Sequence, residues 1–158
     1  APLGACLVLG AVGIVLPQLF GNGKGIAHDA FLGVTPLGLM VALALLKPAM
    51  TTLCLGSGMS GGLFTPVMST GAVLGGALGA VWSMVFPGAP VGAYAVIGAA
   101  VMIGAAMQAP LSALALVVEL THGGFALAVP MMLATVLATA VASRVDGYSI
   151  YSARLQTP

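Results

Sequence analysis

Gly56-Ser57-Gly58-Met59-Ser60-Gly61-Gly62-Leu63-Phe64-Thr65-Pro66 is a polar, glycine-dense knot set between long apolar runs. Glycine and serine fill five of the six positions from Gly56 to Gly61. Such a stretch cannot hold a stable apolar helix: glycine forfeits backbone entropy, and serine competes for backbone hydrogen bonds. Pro66 suits the first turn of a new helix, where its missing N–H costs nothing. The pattern therefore predicts one helix ending near Gly56 and another beginning between Leu63 and Pro66. In lipid, such a break is tolerated only where it is buried in protein or lines a watery cavity. A helix starting there presents free backbone N–H groups and the positive end of its dipole, an anion site made without a cationic side chain.

The setting of the knot is a membrane. Hydrophobic residues make up 60% of the 158-residue chain and charged residues 4%, and mean hydropathy is +1.17. Soluble domains carry about 25% charged residues, so this chain could not cover its own surface in water. No charged residue lies between Lys47 and Glu119, room for about three crossings or partial crossings at roughly 20 residues each. The reading is an all-α, multi-pass protein of the cell membrane. Its 23 glycines and 10 prolines point to tilted, broken or re-entrant helices packed closely, as in transporters. The formal charge of +1 says nothing useful about nucleic-acid or acidic partners, and no nucleic-acid partner is expected. Cys6 and Cys54 stand in apolar runs and are expected as buried thiols.

Taken in order, residues 3–20 form an apolar segment broken near Pro17, and Gly21-Asn22-Gly23-Lys24-Gly25 reads as a loop. A short amphipathic piece follows through His28 and Asp29. Thr35-Pro36 reads as an N-cap and first helical position, opening a helix to about Leu55. Lys47 within it is expected to snorkel or to face protein or water, and Pro48 to kink the helix. Helices are expected over 66–86, 91–107, from about Leu111 to Thr121, and over 125–143. Gly71, Gly75 and Gly79 recur every four residues as a packing face without a chemical role. Tyr148 to Arg154 begins a last short element, and Arg144 and Arg154 lean the C-terminus towards the cytoplasm.

Several of these residues resemble a known family. Gly61-Gly62-Leu63-Phe64-Thr65-Pro66, preceded by Gly56-Ser57-Gly58, is similar to the glycine-x-phenylalanine-x-proline anion motif of the CLC chloride channels and chloride/proton antiporters. Gln108-Ala109-Pro110-Leu111-Ser112 through Val118-Glu119-Leu120-Thr121 resembles the family's alanine-proline-leucine helix ending in glutamate-x-threonine. Tyr151-Ser152-Ala153 stands where the family has a late anion-binding tyrosine. Leu16-Pro17 through Gly21-Asn22-Gly23 resembles its proline- and glycine-rich break. The resemblance covers essentially the whole chain.

It implies a CLC-type fold of two inverted-topology halves, of which residues 1–158 look like the second as a single transmembrane module. The upstream half would carry the other anion loop and the gating and proton glutamates. By resemblance, the anion site comprises Gly62, Leu63, Phe64, Thr65, Pro66 and Tyr151. The amides of Leu63 and Phe64 and the Tyr151 hydroxyl would hold chloride, Thr65 would fill the variable position, and Pro66 would set the helix start. Complete subunits would pair as homodimers, with chloride, and in antiporters protons, as the transported species. Neither cofactor nor enzymatic activity is implied.

Two rival readings stand beside this one. Gly58-Met59-Ser60-Gly61-Gly62 satisfies a serine-hydrolase elbow and resembles the glycine-x-serine-glycine of rhomboid intramembrane proteases, with Ser60 as nucleophile and His122 as base. Phe125 and Val129 stand where a rhomboid histidine helix has glycines. A purely structural membrane subunit accounts for the composition but not for a polar break at membrane depth. Tyr151 could instead be an interfacial anchor, a role open equally to Tyr148, and Glu119 a structural carboxylate. His28 and His122 lack a second ligand at i+3 or i+4, so no metal is expected.

Overall fold

The computed structural model describes residues 2–21, 23–58, 61–121, 125–145 and 147–152. Among them all regular structure is helical: α1 (Pro2–Val15), α2 (Lys24–Leu32), α3 (Leu37–Gly56), α4 (Phe64–Ser83), α5 (Val91–Met107), α6 (Pro110–Thr121) and α7 (Ala128–Val145), with single 3-10 turns at Pro17–Leu19 and Phe125–Leu127. The punctuation is glycine and proline, as the sequence requires. Pro17 opens the turn that follows α1, Pro110 opens α6, and Gly33 closes α2 in the left-handed conformation. Three helices, α3, α4 and α7, are long and apolar enough to cross a membrane, and three shorter apolar ones accompany them. The described residues form an all-α architecture suited to a multi-pass membrane protein.

The centre is the α4–α5 pair: α3 packs on α4, α6 and α7 pack on α5, and α2 packs on both. Small residues make the pair close. A Cβ added at Gly71 would lie 2.5 Å from the Gly98 carbonyl oxygen and 2.5 Å from Met102 Cβ, and one at Gly75 would lie 2.8 Å from Gly98 Cα. Gly79 seats the ring of Tyr94. Ala72, Ala77, Ala95, Ala99 and Ala100 are buried around this seam. Backbone-to-backbone approach of this kind replaces the hydrophobic drive that lipid removes. The outer faces are apolar and unpaired within the chain, with Leu45, Leu137 and Val141 all exposed, as befits surfaces turned to lipid or to other protein.

Three local expectations are corrected. Thr35 does not cap α3: the cap is Pro36, in an extended conformation, and the Thr35 hydroxyl is buried without a partner among the described residues. Lys24 and Gly25 belong to α2 rather than to a loop. Cys6, on the largely uncovered α1, is exposed, and Cys54, on α3, is half-buried, so neither is the fully buried thiol expected. The expected last short element is, over its described residues, irregular backbone from 147 to 149 followed by a turn at Ile150 and Tyr151. α3 runs on through Pro48.

Candidate anion site

The knot unwinds α3 and restarts as α4. Ser57 donates its amide to Leu53 O (3.0 Å) and Gly58 to Leu55 O (3.1 Å), while Ser57 Oγ donates to Cys54 O at 2.7 Å. Gly58 then turns the chain with φ +87°, a left-handed conformation that strains any residue with a Cβ. α4 begins at Phe64 with Leu63 as its cap, and no side chain bonds the cap. The first helical ring closes from Val67 N to Leu63 O at 3.0 Å. Pro66 is the third helical residue, one of the positions whose N–H would have no intrahelical acceptor. The sequence therefore places its missing donor where it costs nothing.

Behind this first turn, two hydroxyls converge on one carbonyl. Ser69 Oγ donates to Pro66 O at 3.0 Å and Thr70 Oγ1 to the same oxygen at 2.8 Å. Both side chains are buried, so they brace the helix instead of reaching forward to the amides. No acidic residue stands in the first turn. The leading N–H groups thus carry the helix's partial positive charge, equivalent to about half an elementary charge, with no side chain of α4 to quench it.

Open space surrounds that end. Phe64 and Thr65 line a cavity of about 460 Å³ together with Lys24, His28 and Phe31. Gly61, Gly62 and Pro66 line a second, of about 270 Å³, shared with Leu19, Gly21 and Lys47. Leu63 and Pro66 line a third, of about 120 Å³, with Pro48 and Thr51. The motif residues from Gly62 to Pro66 are therefore presented as a group to cavities on several sides of one helix start. Tyr151 is half-exposed. The adjacent Ile150 donates its amide to Ala106 O at 3.0 Å, which ties the segment to the end of α5, and Tyr151 lines none of the three cavities.

Two features of this neighbourhood went beyond the sequence reading. Lys47 is buried, and its Nζ donates to Leu19 O at 3.0 Å and Gly21 O at 2.9 Å. A lone charge in an apolar run signals an inward-facing group, but which carbonyls receive it depends on how α1 and α3 pack. Lys24, expected in a loop, and His28, expected in a short amphipathic piece, become cavity-lining once α2 docks on α4.

The family model described as "Voltage gated chloride channel" matches residues 1–143. The chain belongs to the voltage-gated chloride channel family. It is also 33% identical over 147 residues to the H(+)/Cl(-) exchange transporter ClcA of Vibrio campbellii (strain ATCC BAA-1116), an alignment that takes in 92% of this chain and 31% of the relative. The chain thus spans about a third of the length of that curated relative. The match takes in the knot, the α5–α6 junction and Glu119, and it ends before Tyr151. Glu119 is exposed near the end of α6. Ser60 and His122, the pair required by the hydrolase reading, lie outside the described residues, as do Met59, Ala153 and Arg154. The matched family is one of transporters rather than enzymes. Among the described residues no cluster of three or more potential metal ligands occurs.

Proposed function

We propose that this chain is the C-terminal half of a chloride-transporting membrane domain, with the α4 N-terminus as its central anion site. One observation carries the reading: α4 starts at Phe64 with an uncapped first turn that opens onto cavities. The amides of Leu63 and Phe64 supply fixed donors, Gly62 and Thr65 flank them, and Pro66 fixes where the helix begins. The Tyr151 hydroxyl completes the shell when the C-terminal segment folds towards the path. Permeation needs an ion bound well enough to enter and weakly enough to leave. Neutral N–H dipoles and a phenol meet that requirement better than a directly coordinating cation.

The other donors come from an inverted upstream half, since transporter sites of this architecture form at the interface between repeats near the bilayer midplane. Complete subunits pair as homodimers through α6 and α7, whose apolar faces are widely exposed in the isolated chain. The relative's name specifies exchange of chloride for protons, which favours coupled exchange over passive conduction. No cofactor takes part. Halide efflux from proteoliposomes tests the reading. Flux from the complete protein, and none from residues 1–158 alone, is the expected result. No flux from the complete protein would sink it.

A further inference from the structure

The cavity behind the knot contains a buried cation whose partners are unusual. Lys47, on α3, is 4% exposed. Among the described residues its Nζ bonds two backbone carbonyls, Leu19 O and Gly21 O, and no carboxylate. An ammonium held away from water without an opposite charge is costly, and such a residue within a membrane helix marks function more often than packing. The cavity it lines is the one shared with Gly61, Gly62 and Pro66. Its position is also fixed from the far side. Gly23 sits between α3 and α4 so tightly that a Cβ there would lie 2.5 Å from Ser69 Oγ and 3.2 Å from Lys47 Cε. Ser69 in turn bonds the carbonyl of Pro66. The break between α1 and α2 is therefore wedged between the lysine and the first turns of α4.

We propose that Lys47 is a positioning residue of the anion path. It clamps the Leu19 and Gly21 carbonyls and holds a positive charge at a fixed place beside the α4 N-terminus, raising anion affinity without touching the ion. This rests on the reading of that N-terminus as the anion site. The two carbonyl bonds serve both halves of the role. They engage two negative dipole ends that would otherwise face an anion in the cavity they line, and they stop the flexible side chain from swinging onto the ion and trapping it. A lysine free to extend would do the opposite.

The test uses the complete protein in proteoliposomes, comparing wild type with Lys47→Arg, Lys47→Gln and Lys47→Met. Half-saturating chloride and maximal flux per reconstituted protein are read separately. A unit charge acting across about 10 Å at an effective dielectric of about 20 corresponds to about a tenfold change in affinity. Lys47→Gln keeps a donor for the carbonyls but loses the charge, so it should raise half-saturating chloride about tenfold and leave maximal flux within about twofold. Lys47→Arg should restore the wild-type value. Half-saturation unchanged in Lys47→Gln would overturn the proposal, because a purely structural clamp needs only the donor. If Lys47→Met fails to fold, the Gln and Arg pair still decides. A wild type that moves no halide at all would instead overturn the anion-site reading, and this inference with it.

Discussion

Along its body, α4 meets α5 with no room for a methyl group; at its first turn the same helix meets cavities and carries no side-chain cap. Both regions are rich in glycine, but for different reasons. Gly71, Gly75 and Gly98 are glycine because backbone lies against backbone. Among the described residues Gly61 and Gly62 have nothing within 4 Å of the place a Cβ would occupy, so no steric contact there requires them. What they provide is an uncluttered approach to the amides that follow. On the proposed reading, the tightly anchored body of α4 holds the dipole at its open terminus in place, so that it need not reorganise around an ion.

The largest effect should come from filling the seam. Gly75→Leu or Gly98→Val would drive a side chain into facing backbone that cannot move aside, at a cost of more than about 3 kcal/mol. The expected outcome is loss of monodisperse, folded protein on size-exclusion chromatography in detergent. A well-folded Gly98→Val variant would break the comparison at its rigid end. Next comes Gly23→Ala, which combines φ +81° with contact against Ser69 Oγ; about 2 kcal/mol of destabilisation is expected, read as a lowered melting temperature.

At the open end the expected effects move from stability to transport. Tyr151→Phe should leave melting unchanged and raise half-saturating chloride about fivefold, the value of one hydroxyl hydrogen bond. An unchanged half-saturation would assign Tyr151 to anchoring instead. The smallest effect is Gly61→Ala, expected to change stability by no more than about 0.5 kcal/mol in the same melting assay. A loss as large as that of Gly23→Ala would mean the knot is a packing element after all.

Helix boundaries were legible because local chemistry sets them. Pro66, Pro110 and the glycines of the knot end or begin helices whatever surrounds them. The stripe of Gly71, Gly75 and Gly79 was legible as a packing face, yet its partners Gly98 and Tyr94 were not, because choosing between apolar helices is a tertiary decision. Thr35 misled for a similar reason: Pro36 adopts φ −62°, ψ 144°, an extended conformation, which moves the cap one residue on and strands the threonine hydroxyl. The carbonyls that receive Lys47 lie 26 and 28 residues away in sequence, beyond any local pattern. Cys6 was misjudged because an apolar run in a membrane protein does not distinguish a face turned to lipid or another segment from one turned to its own core.

The central claim is that backbone amides at the start of α4 hold the transported anion. Anomalous scattering from crystals of the complete protein grown in bromide tests it most directly. The account predicts a bromide peak about 3.3 Å from the amide nitrogens of Leu63 and Phe64, at the upper edge of ordinary N–H hydrogen-bond lengths because the ion is larger than oxygen. Bromide peaks elsewhere along a conducting path, with none at this helix start, would contradict it.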